Sequence, residues 1–213
     1  MNKAKVLAAV VAASALAHGA EKAGWHEEFA EFMGRIDWFG WTQGDGWAIA
    51  GVGFWPVWEW PGSGADVRGL RLNVVAGRHR NVVGLDFGTL VNVCDEACTG
   101  LAFAGICNVV GDSAWAAQFA AACNYSHHDA RGIQLSLVNW CDEDMGGVQL
   151  GCANLAGDFG GLQLGVMNSA ESGGGMQMGV VNVSSEFTGV QFGLLNLNMA
   201  SGVPVLPFLN ARF

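Results

Sequence analysis

The chain has 213 residues, with 10 lysines and arginines against 19 aspartates and glutamates, and a formal net charge of −9 at pH 7. This acidic balance makes nucleic acid and anionic lipid poor partners, because both carry charge of the same sign. No segment reaches 18 uninterrupted apolar residues, so a protein that crosses a membrane with helices is not expected either.

The N-terminal residues are typical of a secretory signal. Lys3 and Lys5 form a charged start, an apolar run follows over residues 6–16, and a small-residue cleavage site ends at Ala17. We therefore predict a signal peptide over residues 1–17. A buried N-terminal helix is the alternative that this pattern leaves open.

The next region, residues 18–68, carries no repeat and holds most of the tryptophans. Apolar residues at helical spacing predict a short amphipathic helix over residues 25–36. Residues 47–60 are typical of a strand with aromatic interruptions. We predict that this region forms a small aromatic-rich cap, because the open end of a repeat domain has to hide its apolar surface.

Trp55, Trp58 and Trp60 lie close together in this region and suggest a second role for it. A group of exposed indole rings is a candidate ligand platform, either for glycan or for a membrane interface. Burial of the same rings in the cap is the simpler interpretation, and the sequence leaves both open.

Nine asparagines recur through the last two-thirds of the chain at steps of 14 to 16 residues. They are Asn92, Asn108, Asn124, Asn139, Asn154, Asn168, Asn182, Asn196 and Asn210. The phrase around the later ones is nearly constant, as in GLQLGVMN at 161–168 and GVQFGLLN at 189–196. Such a period is typical of a repeat protein, and we predict a β-repeat domain over residues 69–213. One extra residue before Asn92 and Asn108 is interpreted as a β-bulge.

Each repeat alternates with a period of two, which is typical of a strand. The apolar side of the last clean copy is predicted to fill the interior, with Val183, Phe187, Val190, Phe192 and Leu194 pointing inward. The other side is predicted to face outward and to present a row of glutamines, namely Gln134, Gln149, Gln163, Gln177 and Gln191. This row is interpreted either as a flat docking surface or as a ladder of amides that satisfy one another.

Two all-β architectures fit this pattern. The first is a two-sheet β-solenoid of 14–16-residue coils, in which the asparagines stack at one corner and form a ladder. The second is an up-and-down outer-membrane β-barrel with one strand per repeat, for which the terminal Phe213 is suggestive. The shared position of the asparagines favours the solenoid, because neighbouring barrel strands run in opposite directions. Pro204 and Pro207 favour it as well, because a closing barrel strand must pair at both edges.

Six cysteines permit disulfides in an exported protein. Cys107 and Cys123 each precede a repeat asparagine in consecutive copies, so stacked coils would place their Cα atoms about 5 Å apart, within disulfide range. Cys94 and Cys98 form a second candidate pair, since the segment CDEAC can close a small ring.

The sequence offers little support for a metal site or an active site. His127, His128 and Asp129 are close in sequence, but their spacing matches no standard metal site and a polar loop between coils explains them. Recurring acidic residues such as Asp158 and Glu186 are interpreted as a solvated corner, because the calcium-binding repeat GGxGxD is absent. Catalytic motifs do not stand out. We therefore expect no catalytic residues, no metal, no cofactor and no enzymatic activity.

The GxQxGxxN phrase at this spacing, with the ending LPFLNARF at 206–213, resembles a family of bacterial surface-repeat proteins first noted in leptospires. The resemblance covers about residues 69–213 and implies an exported, surface-associated protein without agreed catalytic residues. We expect a non-enzymatic structural or interaction module at the surface or outer membrane of a bacterium, with envelope proteins or glycans as partners. The alternatives are an outer-membrane barrel that serves as a pore or anchor, which would be membrane-associated, and a glycan-binding protein that uses the Trp-rich segment.

Overall fold

A computed structural model of the chain describes residues 46–54 and 58–213. The predicted signal peptide over residues 1–17 and the predicted helix over 25–36 lie outside the described residues. Within the two described ranges, no helix is both long and apolar enough to cross a membrane.

The described residues form sixteen β-strands, numbered here in chain order. They are β1 Trp47–Phe54, β2 Trp58–Trp60, β3 Asp66–Asn73, β4 Ala76–His79, β5 Asn81–Gly88, β6 Val91–Cys94, β7 Cys98–Ala104, β8 Cys107–Val110, β9 Ala114–Ala120, β10 Cys123–Ser126, β11 Ala130–Leu135, β12 Val138–Leu150, β13 Ala153–Leu164, β14 Met167–Met178, β15 Val181–Asn198 and β16 Val205–Arg212. The prediction of an all-β fold is therefore confirmed.

Successive repeats stack as parallel strands in register. The long stack follows the order β16-β15-β14-β13-β12-β11-β9-β7-β5-β3-β1-β2, and the short strands β4, β6, β8 and β10 form a second stack that joins β12. Equivalent residues lie side by side, as Asn154 does with Asn168 and Gln163 with Gln177. The chain is a β-solenoid of about nine turns, as predicted. The barrel is not favoured, because neighbouring repeats run parallel.

The strand direction reverses at both ends of the long stack. β2 pairs antiparallel with β1, and β16 pairs antiparallel with β15. Asn210 therefore lies beside Gln191 and bonds to Ser201, so the prediction that it continues the asparagine series is wrong. Pro207 is accommodated because β16 is an edge strand, where a missing N–H does not interrupt a ladder. At the other end β1 already pairs parallel with β3, so stacking begins inside the region 18–68 that was predicted as a separate cap.

The asparagines form a continuous ladder at one corner of the coils. Each donates a side-chain N–H to the side-chain oxygen of the asparagine in the next coil, at 2.7–3.0 Å. The ladder begins at Asn73, which was not predicted, and ends at Asn196. Asn73 stands outside the regular spacing because the position opposite Asn92 is Gly77, and the Asn73 side chain fills the space where a Gly77 Cβ would lie. The sequence period therefore missed one rung, which comes from the preceding strand.

The assignment of the two faces from the sequence is wrong. The glutamines are buried, and each donates its Nε2 to the Oε1 of the glutamine in the preceding coil at 2.7–2.9 Å. Paired amides of this kind carry little desolvation penalty, so they can occupy the interior. Of the residues predicted to point inward only Phe187 is buried, and those that remain exposed or partly exposed are Val183, Val190, Phe192 and Leu194.

The apolar core is a separate column of side chains beside the glutamines. It follows the in-register series that includes Val67, Val82, Met145, Phe159 and Phe187, all of them buried. Small residues such as alanine and cysteine fill most of the remaining positions in this cluster. A narrow core of this kind leaves room for the two amide ladders, which share the interior with it.

The extra residue of the early repeats lies in the corner turn and not in a bulge. β5 ends at Gly88 and β6 begins at Val91, and β5 pairs with β7 without a register shift. Three residues, Gly88 to Leu90, separate the paired positions Phe87 and Val91, whereas only two, Gly165 and Val166, separate the equivalent positions Leu164 and Met167 of a later coil. A turn at the surface accepts one more residue without disturbing the paired strands, which corrects the prediction of a bulge.

Candidate interaction surface

The strands of the long stack present two apolar side chains per coil on their outer side. The buried residue at the glutamine position lies between them, because successive side chains of a strand point to opposite faces. The column before that residue consists of Leu70, Leu85, Leu101, Ala117, Ile133, Val148, Leu162, Met176 and Val190. The column after it consists of Leu72, Phe87, Phe103, Phe119, Leu135, Leu150, Leu164, Met178 and Phe192. Every position in both columns is apolar.

Many of these side chains are exposed although they are large. Leu72 exposes 45% of its surface and Phe192 41%, which places both in the exposed class. Phe87, Phe103 and Phe119 stack on one another along the second column, with ring centroids 5.1 and 4.9 Å apart. The stacking follows from the in-register pairing of their strands, which repeats one side chain above the next.

The apolar surface continues around the asparagine corner. In six coils a large apolar side chain projects there, with exposed fractions from 38% to 64%, in the series Leu90, Ile106, Leu137, Val166, Val180 and Leu194. Beyond the corner, the outer side of the second stack is again largely apolar and partly exposed, as at Val91, Val93, Leu155 and Val183. The two columns, the corner series and these second-stack residues are called the apolar edge below.

Carboxylates are concentrated at the far end of the second stack. The exposed ones there are Asp95, Glu96, Asp112, Glu143, Asp144, Asp158, Glu171 and Glu186. They recur along the solenoid because the repeat places them in register, as Asp144 lies beside Asp158 in the next coil. This group is called the acidic edge. The described solenoid therefore has two edges of opposite polarity.

A small polar cluster lies next to the acidic edge. Nδ1 of His127 is 2.9 Å from Oδ2 of Asp142, and the hydroxyl of Tyr125 donates to the same oxygen at 2.5 Å. His128 pairs separately with Glu143 at 2.9 Å, and this hydrogen bond raises the pKa of His128. In the described ranges, His, Cys, Asp and Glu side chains do not gather in a group of three or more that could hold a metal ion.

A buried ion pair replaces the glutamines in the first coils. Arg71 and Asp86 occupy the glutamine position of β3 and β5, and Nε of Arg71 donates to Oδ1 of Asp86 at 2.7 Å. Nη1 of Arg71 also lies 3.3 Å from Nδ1 of His79, and burial together with this guanidinium lowers the pKa of His79 to about 3. Nearby, burial raises the pKa of Glu59 to about 7. The sequence pattern gave no indication of this cluster.

The opposed pKa shifts of His79 and Glu59 predict that these two groups together add little to the pH dependence of the free energy of unfolding between about pH 6.5 and 4.5. In this window His79 is protonated in the unfolded chain and neutral in the folded protein. It therefore lowers the free energy of unfolding by about 1.4 kcal/mol for each unit of falling pH. Glu59 acts in the opposite direction. It is protonated below about pH 7 in the folded protein but only below about pH 4.5 in the unfolded chain, so it raises the free energy of unfolding as the pH falls. The two contributions cancel.

Glu59→Gln removes one of these contributions. Relative to the native chain, we expect the free energy of unfolding of this variant to fall by roughly 1.4 kcal/mol per pH unit as the pH drops from 6.5 to 4.5. Urea unfolding at a series of pH values measures this slope, with the exposed carboxylate variant Glu96→Gln as the control. Equal slopes for the native chain and Glu59→Gln would contradict the assignment.

Of the two candidate disulfide pairs, only one is bonded. Cys107 and Cys123 lie opposite one another in β8 and β10 and are joined by a disulfide, with their Cα atoms 4.7 Å apart. Cys94 and Cys98, the second candidate pair, are buried free thiols, so the small ring that their spacing allows is not closed. A hydrogen bond with Cys98 and burial raise the pKa of the Cys94 thiol. Cys152 is free and exposed at the asparagine corner.

The candidate tryptophan platform falls partly outside the described chain. Trp60 lies on β2 and exposes 54% of its surface, whereas Trp55 and the side chain of Trp58 are outside the described residues. Glu59, between Trp58 and Trp60 in sequence, is buried. The joint use of the three rings as a ligand platform therefore stays a prediction.

Comparison with known proteins gives no family to which the chain can be assigned. No family model matches it, and neither a curated protein nor a solved structure does. The fold alone defines the class, which is the parallel β-solenoid repeat proteins. The described residues carry the apolar edge at the asparagine corner and the acidic edge at the far end of the second stack.

Proposed function

We propose that the protein is a non-enzymatic, exported repeat protein of a bacterial surface, which uses the apolar edge as its interaction surface. The observation that carries this proposal is the length of that edge. Nine strands about 4.8 Å apart give it a length of about 40 Å, and with a width of about 20 Å around the corner it covers on the order of 800 Å². The largest apolar patch of a typical soluble monomer is roughly 300–600 Å², and larger ones mark interaction sites.

The construction of the coils supports a role for this surface beyond folding. The sequence places amides inside and large apolar side chains outside, although an arrangement with leucines inside would protect them from water. A row of leucine and phenylalanine side chains that the core does not need is stabilising only when a partner covers it. All nine coils have this arrangement of buried amides and outer apolar side chains, which supports a surface that contacts a partner.

Export and surface location are supported by the N-terminal residues and by the resemblance of residues 69–213 to bacterial surface-repeat proteins. Both the charged start at Lys3 and Lys5 and the small-residue site that ends at Ala17 fit a cleaved signal. The disulfide between Cys107 and Cys123 is in keeping with an oxidising compartment, where such bonds persist.

Expression of the full chain in a bacterium with two membranes tests the proposal. We expect a processed chain that begins after Ala17, that is digested when intact cells are treated with protease, and that sediments with the cell envelope. The triple variant Leu137→Glu, Val166→Glu, Leu194→Glu places charges on the corner series and should release the exported chain into the soluble fraction.

A control adds three charges at positions that belong to neither outer column nor to the corner series, through Gly160→Glu, Gly202→Glu and Val203→Glu. A side chain added at Gly160 or Gly202 meets nothing within 4 Å, and Val203 is 56% exposed, so this variant should fold and stay with the envelope. An unprocessed chain that remains inside the cell would overturn the surface assignment, and equal release of the two variants would overturn the role of the edge.

A further inference from the structure

We infer that the partner of the apolar edge is a lipid surface, into which the asparagine corner inserts as a wedge. This inference rests on the proposed role of the edge as an interaction surface and names the chemistry that it contacts. The lipid is zwitterionic, because the protein is strongly acidic and anionic headgroups would repel it. Three features of the apolar edge support the inference: the hydrogen bonding of its backbone polar groups, its shape, and its distance from the charged residues.

The first feature is that the polar groups at the asparagine corner are satisfied within the protein. The N–H of Val166 donates to the carbonyl of Cys152 at 3.0 Å, and the N–H of Val180 donates to Val166 at 2.9 Å. The carbonyl of Leu164, at the start of the corner, accepts from Nδ2 of Asn154 at 2.8 Å. Contact with hydrocarbon requires this arrangement, because each polar group without a partner is costly there, whereas water would satisfy such groups at no cost.

The second feature is the convex shape of the apolar surface. Side chains of the long stack, the corner and the second stack point in different directions, and the corner residues Leu137, Val166 and Leu194 are more than half exposed. A rigid partner such as a second copy of the chain would cover only the flat face of the long stack. That face is about 40 Å by 10 Å, or about 400 Å², against about 800 Å² per partner in a stable dimer. Lipid chains adapt to a convex surface and can cover all three parts.

The third feature is the separation of charge from the apolar edge. The two outer columns consist entirely of apolar side chains, and the exposed carboxylates recur at the far end of the second stack. With the corner in the membrane interface, the acidic edge stays in water. Tyr125 and Trp140 lie on the outer side of the second stack in the same row as Val93 and Leu155, which is the part of the apolar edge next to the acidic edge, and their ring centroids are 5.7 Å apart. Tyrosine and tryptophan are the residues that favour the boundary between lipid and water.

Flotation of the purified exported chain with phosphatidylcholine vesicles tests the inference. We expect the native chain to float with the vesicles and to remain bound in about 1 M salt, because apolar contact is not screened. Added phosphatidylglycerol should weaken binding at low salt. The variant with Leu137→Glu, Val166→Glu and Leu194→Glu should lose binding by roughly tenfold or more, because charged side chains are costly in hydrocarbon. The control with Gly160→Glu, Gly202→Glu and Val203→Glu should bind like the native chain.

A second measurement does not depend on the folding of a charged variant. Cys152 is an exposed thiol at the corner, so an environment-sensitive fluorophore attached to it should shift its emission to the blue when phosphatidylcholine vesicles are added. The same fluorophore on Glu186→Cys in a Cys152→Ser background lies at the acidic edge and should not shift.

Two outcomes overturn the inference. Absence of flotation together with an unchanged Cys152 probe would exclude a lipid partner. A native chain that is dimeric in solution, becomes monomeric when the corner is charged, and ignores vesicles would assign the edge to a second copy. Both experiments use purified protein, so they can succeed even if the cellular test of surface location fails, and the two proposals are judged separately.

Discussion

Gly161→Ala is expected to destabilise the solenoid by more than about 3 kcal/mol, because strain in a disfavoured backbone region and a steric clash add together. Gly161 has a φ of 142°, a region that side chains with a Cβ rarely adopt. A Cβ at this position would lie 2.0 Å from the carbonyl oxygen of Gly147 in the neighbouring coil. That oxygen belongs to the backbone of a paired strand and cannot move without breaking the stack. Urea or thermal unfolding of the variant measures the loss.

The adjacent glycine provides a matched control. An added Cβ at Gly160 meets nothing within 4 Å, and its φ is not in the strained region, so Gly160→Ala should change the free energy of unfolding by less than about 0.5 kcal/mol. In β9 the equivalent position is Ala116, which does not have a positive φ. If Gly161→Ala proves as mild as the control, the later coils can adopt the backbone of Ala116, and the glycine column is not required.

Gln163→Leu is the second substitution with a large expected effect, roughly 3 kcal/mol of destabilisation from two buried amide groups that lose their partners. Gln163 is fully buried, donates to Oε1 of Gln149 at 2.8 Å and accepts from Nε2 of Gln177 at 2.7 Å. Leucine has similar volume and greater hydrophobicity, yet it leaves one acceptor and one donor unpaired in the interior. Chemical unfolding should therefore show a polar residue that contributes more to stability than an apolar replacement.

Leu164, next to Gln163, tests which side of the strand is buried. Leu164 is on the outer side and partly exposed, so Leu164→Ala should cost less than about 1 kcal/mol. A fully buried leucine in a packed core would cost roughly 2–5 kcal/mol. Should Leu164→Ala cost more than Gln163→Leu, the leucine side faces inward and the apolar edge does not exist.

Several features of the fold could be predicted from the sequence because they depend only on spacing. The 14–16-residue period and the repeated asparagine gave the parallel stacking, since an amide ladder needs the same side chain at the same height in each coil. The position of Cys107 and Cys123 before consecutive asparagines placed the two residues opposite one another, where they are now seen bonded. These predictions required no knowledge of which face was buried.

Other features could not be obtained in this way. The sequence period includes Asn210 in the asparagine ladder, although the chain reverses direction before β16. It leaves out Asn73, whose side chain reaches the corner only because Gly77 leaves space for it. The ion pair of Arg71 and Asp86 breaks the glutamine pattern and was invisible to a search for repeats. Each of these depends on contacts between different coils and not on local spacing.

The candidate surface was present in the sequence as the apolar side of the repeat but was assigned to the interior. Alternation with a period of two separates the two sides of a strand without saying which side is buried. Hydrophobicity alone favoured Val190 and Phe192 as interior residues over Gln191. The structure reverses this order, since Gln191 is 1% exposed and Phe192 41% exposed.

The sequence by itself therefore determined the repeat length, the all-β class and the parallel register of the coils. Only the tertiary structure decided which side of each strand is inside. The physical reason is that burial of an amide is unfavourable for one strand alone and becomes acceptable when the coils above and below supply its partners, at 2.8 and 2.7 Å for Gln163. These hydrogen bonds form only between coils, so the sequence of a single repeat does not show which side of its strand is buried.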